Sequence, residues 1–269
     1  MQHEAKPPRT GIPVPAVGMV AQMRNLRALP RTVVTLVIGF LATLVAAFAA
    51  FVLGHVRPTS PAIEKVTSWW ARAWLVSAGV DLDVRGVEHV DPSRSYVVVA
   101  NHLSNIDIMV CFAAIPLPIR FLAKKELFRV PLLAQGMRSI GIVEVDRQHV
   151  RGPAAIEAVN RQAQVVIERG HSLIVYPEGT RSRDAHLRPF KKGAFSMAVG
   201  ADMPVLPVTL HGTWEVWEPS KPWIRPGRVT VVIDPPIETE SLTRDDVTTI
   251  RNNVRDIIAS HLEDLDRAG

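Results

Sequence analysis

The sequence predicts an α/β domain with a mainly parallel sheet flanked by helices, preceded by a pair of N-terminal helices. Two observations support this fold class. From residue 80 onward, short β-branched runs alternate with helix-like segments, a pattern typical of parallel strands joined by helical connections. Before residue 80, a long uncharged run is followed by an amphipathic segment. We therefore divide the chain into residues 1–31, 32–78 and 79–269.

Residues 1–31 are predicted to form a flexible basic tail followed by a short helix. The first 17 residues contain four prolines and scattered charges, which predict a tail without fixed structure. The segment from Met19 to Leu29 then has the composition of a short basic helix that carries Arg24 and Arg27.

Residues 32–78 are predicted to form a two-helix membrane anchor. The run from Thr32 to Gly54 has 23 uncharged residues. As a helix it would be about 34 Å long, enough to cross a hydrocarbon core of about 30 Å. Pro58 and Pro61 then interrupt the helix. The segment from Ile63 to Ala78 is amphipathic, and its three tryptophans favour the membrane interface over a buried core. Its predicted polar side carries Glu64, Lys65, Ser68 and Arg72.

The apolar run is also compatible with three different structures. It could be a cleavable signal peptide, although the apolar core of such a peptide is normally only about 7–15 residues long. It could also be a buried helix of a soluble protein, or a single membrane span. Basic residues precede and follow the run, so charge gives no clear orientation. Together with the interfacial segment, they favour an anchor with both ends on one face of the membrane.

Seven strand-like runs and several helix-like segments make up residues 79–269. The strand-like runs are Val80–Arg85, Ser95–Ala100, Ile119–Ala123, Ile142–Val145, Ser172–Tyr176, Val205–Leu210 and Arg228–Ile233. The helix-like segments are Ile106–Ile115, Pro153–Arg169, Lys192–Val199 and Ser241–Arg267, the last capped by Ser241 or Thr243. Because the carboxyl ends of parallel strands share one edge of a sheet, polar residues after these strands are candidates for a functional site.

The most informative polar cluster runs from Asn101 to Asp107, directly after the second strand. On a regular helix, His102 and Asp107 would point about 140° apart. They can meet if His102 lies in a loop and Asp107 in the first turn of the next helix. A carboxylate on one ring nitrogen makes the other a general base for a hydroxyl group. Taken alone, this spacing more often reflects local loop hydrogen bonding than catalysis.

Three further strand ends carry cations or a polar turn. Lys124 follows the third strand, Arg147 the fourth, and the run Tyr176–Ser182 the fifth. Each has an ordinary interpretation: a solvated helix start, a surface charge and a proline–glycine turn. Their occurrence at one predicted sheet edge favours a shared anion site. There, Arg147 and Arg181 would bind a phosphate with paired hydrogen bonds, and Lys124 would act as a point charge.

Composition limits the possible functions only broadly. The chain has 269 residues and a net charge of +5, which suits an anionic membrane surface or a phosphorylated ligand. Cys111 is the only cysteine, which excludes an internal disulfide and a cysteine-based zinc site. Since it lies in an apolar run, we interpret Cys111 as a small core residue and not as a nucleophile.

Four ordered blocks resemble the four motifs of the glycerolipid acyltransferase family. They are Asn101-His102 with Asp107, Val143–Arg147, Tyr176–Ser182 and Met203–Val208. The resemblance extends from about Val80 to His211, roughly half of the chain, and is loose beyond Gly212. One block alone is unspecific, whereas four in this order and spacing are specific. The N-terminal helix pair also resembles the membrane anchor of bacterial members.

The resemblance implies an acyl transfer that needs no metal and no other cofactor. His102, oriented by Asp107, would take the proton from the free hydroxyl of 1-acyl-sn-glycerol 3-phosphate. That oxygen would attack the thioester of acyl-CoA or of an acyl carrier protein, giving phosphatidic acid. The residues expected to hold the acceptor are Lys124, Arg147, Glu178, Gly179, Thr180 and Arg181.

The expected partners are membrane lipid, lysophosphatidic acid and the acyl donor, with no nucleic acid. Because acyl-CoA is cytoplasmic, the resemblance implies the cytoplasmic (inner) membrane, with the catalytic domain on its cytoplasmic face. Three alternatives stay open. The same chemistry could serve another lysolipid, such as a lyso-ornithine lipid. The chain could be a metal-dependent hydrolase using His102, Asp107 and Glu178, or a non-catalytic membrane lipid-binding protein.

Overall fold

The structure, a computed structural model, describes residues 14–57, 60–145, 161 and 164–268, with side-chain surroundings from residue 25 onward. Its helices are α1 Val14–Val56, α2 Ala62–Ala78, α3 Asp107–Ala114, α4 Pro131–Ser139, α5 Gly193–Gly200, α6 Thr213–Val216 and α7 Val247–Ala268. Its strands are β1 Val80–Arg85, β2 Val97–Ala100, β3 Ile119–Lys124, β4 Val143–Val145, β5 Ser172–Val175, β6 Val205–His211 and β7 Gly227–Ile233. Two 3₁₀ helices cover Val87–His89 and Lys125–Arg129.

The seven described strands form one sheet in the order β1-β7-β6-β2-β5-β3-β4. All neighbours are parallel except β6 and β7, which pair antiparallel. This confirms the predicted mainly parallel sheet and all seven predicted strands. The central strand β2 is buried along its whole length between β5 and β6. Its carboxyl end, which leads to His102, therefore lies in the middle of the sheet edge.

Helices cover both faces of the sheet, as predicted. Alternate residues of β2 point to opposite sides: Val98 packs with α2 and α3, whereas Val97 and Val99 pack with α5 and α7. The predicted helix 153–169 lies largely outside the described residues, although residues 164–168 are helical.

The closing helix begins six residues later than predicted, at Val247 and not at Ser241. The predicted cap is wrong because Asp246 holds this turn. Its carboxylate oxygen Oδ2 accepts hydrogen bonds from the Thr243 backbone N–H and hydroxyl, both at 2.8 Å. Its carbonyl accepts the Ile250 N–H at 3.0 Å, which starts the helix.

The N-terminal helix α1 is continuous from Val14 to Val56, with Pro30 inside it. It thus runs through the boundary predicted at residue 31, and residues 1–13 of the predicted tail lie outside the described residues. Hydrogen bonds hold α1 against the α/β domain on both sides of Pro30. Arg225 donates to the Asn25 side chain at 2.8 Å, and Ile224 N–H donates to Thr32 Oγ1 at 2.9 Å.

One face of α1 contacts the rest of the chain along most of the helix. Thr35 Oγ1 donates to the Ser77 carbonyl at 2.8 Å, and Trp70 Nε1 donates to Thr43 Oγ1 at 2.9 Å. The opposite face exposes large apolar side chains, among them Val33, Val37, Phe40, Leu41, Leu44, Val45 and Phe48. Within the described residues, one segment, Asn25–Val56 of α1, is long and apolar enough to cross a membrane.

Helix α2 is more firmly packed than its sequence pattern predicts. Glu64, expected on the polar side, accepts hydrogen bonds at 2.7 and 3.2 Å from Arg120 of β3, which is only 1% exposed. Trp74 is buried and stacks on Trp217, whereas Trp69 is 48% exposed. The pattern is misleading here because the partner of Glu64 is 56 residues away in the chain.

Candidate active site

The site begins where β2 leaves the sheet. The Asn101 side chain donates from Nδ2 to the Leu210 carbonyl and accepts the Leu210 N–H at Oδ1, both at 2.8 Å. This amide thus continues the pairing with β6 through a side chain. The backbone itself stops pairing with β6 after Ala100, so the residue after Asn101, His102, lies in a loop.

His102 and Asp107 meet in the way that their spacing allows. Asp107 is the first residue of α3, and its Oδ2 accepts His102 Nδ1 at 2.7 Å. The same oxygen accepts the backbone N–H groups of Leu103 and Ser104, both at 2.8 Å. The carboxylate assigns the ring proton to Nδ1 and leaves Nε2 as the basic nitrogen. The loop thus folds around one buried carboxylate oxygen.

An aromatic ring also packs against the face of the His102 imidazole. The Tyr176 ring stacks on it with the centroids 4.1 Å apart and the planes inclined by 14°. The Tyr176 hydroxyl lies 3.7 Å from the sulfur of Cys111. Burial raises the pKa of the Cys111 thiol to about 12, so the thiol stays protonated near neutral pH. This supports the interpretation of Cys111 as a core residue.

Glu178 contacts the backbone of the His102 loop. Its Oε1 accepts the His102 N–H at 2.7 Å, and its Oε2 accepts the Arg188 N–H at 3.0 Å. The residue is 4% exposed, and burial raises its pKa to about 7 against the lowering effect of these two hydrogen bonds. The resemblance implies that Glu178 is a substrate ligand, but both of its oxygens are engaged by backbone groups.

The rest of the third block forms a turn beside the loop. Gly179 has φ of 75°, a left-handed backbone conformation that favours glycine. The Ser182 N–H donates to the His102 carbonyl at 2.9 Å, which ties the third block to the first. Thr180 and Arg181 remain accessible to solvent.

A cavity of about 600 Å³ opens at His102. Its polar end is lined by His102, Ser104, Lys124 and Arg181. Its apolar end is formed by α1, α2, α3 and α4, with lining residues that include Ala46, Trp70, Met109, Phe112, Leu133 and Met137. Volumes of this size are typical of sites that hold a small molecule.

The structure brings together only some of the predicted substrate-binding residues. Lys124 and Arg181 lie at the cavity, with Lys124 Nζ 3.5 Å from Glu126. Arg147 lies outside the described residues. The fourth block contributes to the sheet and not to the cavity, since Pro207 of β6 pairs with Val99 of β2. In the part of the chain that the structure describes, no three acidic, histidine or cysteine side chains are grouped to hold a metal ion.

The apolar end of the cavity is not predicted by the sequence, because no local signal points to it. Its residues come from four helices and the strand β3, and alanines and leucines on a helix face are typical of ordinary packing. The only available indication is the high apolar content of residues 32–78, which the sequence pattern assigns to the membrane alone. The structure shows that one side of α1 faces this cavity while the other is exposed.

Comparison with known proteins defines the class of this α/β domain. Residues 81–211 match the family model described as Acyltransferase. This segment, which contains the His102–Asp107 pair and Glu178, is therefore similar to the acyltransferase family. The matched range agrees with the extent of the resemblance seen in the sequence.

Particular relatives are 1-acyl-sn-glycerol-3-phosphate acyltransferases. The mouse alpha enzyme is 34% identical over 66% of this chain and 62% of its own length. The enzyme of Limnanthes douglasii is 34% identical over 68% of this chain and 64% of its own length. The chain thus spans less than two thirds of these relatives.

A solved structure shows the same fold over most of the chain. The crystal structure of the 1-acyl-sn-glycerophosphate (LPA) acyltransferase PlsC from Thermotoga maritima superposes with a TM-score of 0.78 at 25% identity. The match covers 90% of this chain and 98% of that one. It therefore includes residues on both sides of the segment that matches the family model.

Proposed function

We propose that this chain transfers a fatty acyl group from a thioester donor to the free hydroxyl of 1-acyl-sn-glycerol 3-phosphate, giving phosphatidic acid. The observation that carries the proposal is the His102–Asp107 pair at the mouth of an apolar cavity. A base and a pocket for an acyl chain are the two parts that this reaction needs. The names of the relatives support the choice of lysophosphatidate as acceptor.

The proposed chemistry uses His102 as a general base. Nε2 takes the proton of the acceptor hydroxyl as its oxygen attacks the thioester carbonyl carbon. A carbon–oxygen bond forms and, when the tetrahedral intermediate collapses, the carbon–sulfur bond breaks. The proton on Nε2 then passes to the leaving thiolate. Asp107 stabilises the imidazolium that exists between these two proton transfers.

The cations at the cavity would hold the acceptor. Arg181 can bind a phosphate with paired hydrogen bonds, and Lys124 adds a point charge at the same polar end. We also propose that Arg147 binds the phosphate of the acceptor. Glu178, by contrast, is better explained as a support of the His102 loop, since its oxygens bind the His102 and Arg188 N–H groups.

The apolar end of the cavity would hold the acyl chain of the donor. It is lined by helical residues such as Ala46, Phe112 and Leu133. Burying a methylene group contributes about 0.8 kcal/mol, so a long chain would bind there with useful affinity. The donor is proposed to be acyl-CoA or an acyl carrier protein.

We propose that α1 and α2 form an anchor lying in one leaflet, with both ends on the cytoplasmic face of the inner membrane. The contacts of α1 with the domain extend from Asn25, which binds Arg225, to Gly54, which packs against Ser139. That distance is about 44 Å, more than the hydrocarbon core of about 30 Å. A helix flanked by its own domain over this length fits insertion parallel to the surface better than a single span.

The test is an acyl-transfer assay on detergent-solubilised full chain with labelled acyl-CoA. Acceptors would be lysophosphatidate and a panel of lysolipids that includes a lyso-ornithine lipid, each with and without EDTA. We expect transfer that is greatest with lysophosphatidate, survives EDTA and is lost in His102→Ala. His89→Ala, beyond β1 at the far side of the sheet, is the matched control and should keep its activity.

Different outcomes would overturn part or all of the proposal. Transfer to another lysolipid alone would keep the mechanism and replace the acceptor. Loss of activity in EDTA would contradict the metal-free mechanism. No transfer to any acceptor, together with unchanged lipid binding in His102→Ala, would favour a non-catalytic lipid-binding protein.

A further inference from the structure

A second apolar and basic surface lies beside the cavity opening, on the segment from Lys124 to Arg138. We call it the 124–138 surface; it comprises the end of β3, the 3₁₀ helix Lys125–Arg129 and α4. Leu127 and Val130 are 42% and 52% exposed there. The Val130 N–H donates to the Leu127 carbonyl at 3.4 Å, so the two exposed side chains belong to one short turn.

The 124–138 surface contains more basic than acidic residues. Residues 124–138 contain four basic residues and one acidic residue, a net charge of +3. The acidic residue, Glu126, already has Lys124 at 3.5 Å. Arg138 lies 5.3 Å above the ring of Phe128, which is 9% exposed and fixes the segment to the core. Arg138 also lies 3.7 Å from the carboxylate of Glu144 in β4. The surface therefore keeps a positive net charge although two of its cations have acidic neighbours.

The 124–138 surface lies beside α1, the long helix of the proposed anchor. Gly136 of α4 packs so closely on α1 that an added Cβ would lie 2.8 Å from the Ala47 carbonyl oxygen. Leu127 and Leu133 line the same cavity as Ala46 and Ala47. Apolar residues beside a row of cations match the boundary between acyl chains and anionic head groups of a bilayer.

We propose that the 124–138 surface is a second membrane contact, which binds an anionic phospholipid surface beside the α1–α2 anchor. This inference rests on the membrane anchoring given in the proposed function. The positive net charge and the position beside α1 favour a bilayer over a protein partner. In this arrangement the cavity opens at the head-group level, so a lysophospholipid reaches His102 without leaving the leaflet.

The test places an environment-sensitive fluorophore on Val130→Cys in the full chain bound to lipid vesicles. Native Cys111 is fully buried, so labelling is directed to the introduced thiol. With vesicles containing about 30% phosphatidylglycerol, we expect a blue-shifted emission that is quenched by nitroxide-labelled lipid. Val87→Cys is the matched control: Val87 is 41% exposed but lies after β1, at the far side of the sheet from β3 and β4.

The charge requirement is tested with the double variant Arg129→Glu, Val130→Glu. The double variant lowers the net charge by three, and each charge near an anionic surface is worth about 1 kcal/mol, so we expect on the order of a hundredfold less transfer on anionic vesicles. Transfer in detergent micelles should be unchanged, because neither residue lines the cavity. Val87→Glu should behave like wild type in both assays.

The two proposals fail in different ways. Emission from position 130 that equals that from position 87 in anionic vesicles would overturn the second membrane contact, whatever the activity. An equal blue shift in purely zwitterionic vesicles would overturn the anionic part of the proposal. Absence of transfer in micelles would overturn the proposed function. The fluorescence at position 130 would then still decide whether the second membrane contact exists.

Discussion

The two ends of the cavity are built in different ways. At the polar end, His102 is fixed by hydrogen bonds to Asp107 and Glu178, with lengths of 2.7 Å. At the apolar end, residues such as Ala46, Trp70 and Leu133 line the cavity from three separate helices. One end depends on directed bonds between named atoms, and the other on the packing of helices.

This difference has consequences for both function and mutation. Hydrogen bonds are short and directional, so the loss of one atom at the polar end should have a large effect. Packing is spread over many contacts, so a change at the apolar end should have a graded effect. A substitution at the polar end is therefore expected to act on the chemistry, and one at the apolar end on the size of the space.

The largest effect is expected from Asp107→Asn. Asparagine removes the negative charge that stabilises the imidazolium, and its NH₂ group can donate to His102 Nδ1 and so place the ring proton on Nε2. We expect kcat for acyl transfer to fall about 10³–10⁴-fold, with the wrong ring tautomer as the cause. Asp81→Asn, at an exposed position of β1, is the control. A fall of less than about tenfold would contradict the role assigned to Asp107.

A smaller effect is expected from the ionisation of Glu178, on the free energy of unfolding. Its pKa is raised from 4.5 to about 7, so the folded chain keeps this proton to a higher pH than the unfolded chain. The resulting stability is complete below about pH 4.5 and is lost as the pH rises through about 7. Between about pH 5 and pH 8, the free energy of unfolding should fall by on the order of 2–3 kcal/mol.

Glu178→Gln provides the comparison for this pH dependence, since glutamine is neutral throughout. Urea unfolding in mild detergent at several pH values should show that the stability of the wild type falls relative to the variant as the pH rises. Parallel pH profiles would contradict the raised pKa of Glu178. A constant offset between the two is expected in either case, because glutamine leaves one backbone N–H without an acceptor.

The smallest effect is expected at the apolar end, from Ala46→Leu. The larger side chain occupies space that the acyl chain would use, at about 0.8 kcal/mol for each displaced methylene group. We expect kcat/KM for long-chain donors, relative to short-chain donors, to fall about tenfold. Val45→Leu, on the exposed face of α1, should leave the ratio unchanged. An unchanged ratio in Ala46→Leu would contradict the assignment of this cavity to the acyl chain.

Local patterns in the sequence predict much of the fold and the centre of the site. The strands are buried β-branched runs, and the contact between His102 and Asp107 follows from a loop and a helix start five residues apart. The first block can therefore be located from the sequence alone. The link between the first and third blocks through Glu178 cannot, because the resemblance indicates the residue but not which atoms it contacts.

The features that sequence patterns miss depend on contacts between distant residues. The pairing of Glu64 with buried Arg120 joins residues 56 positions apart, and nothing in the pattern of α2 indicates it. The continuity of α1 through Pro30 likewise rests on contacts with Ile224 and Arg225, almost 200 residues away. Such contacts are set by how helices dock on the sheet, which periodicity alone does not determine.

The central claim is that one cavity joins the base to the acyl chain, and photolabelling tests it most directly. His102→Ala protein would be incubated with an acyl-CoA analogue that carries a diazirine at the far end of its chain, so that the donor is bound and not consumed. We predict crosslinks on cavity-facing residues of α1, α2 and α4, such as Ala46, Trp70 and Leu133. Crosslinks confined to the exposed face of α1, at Val45 and Phe48, would contradict the claim.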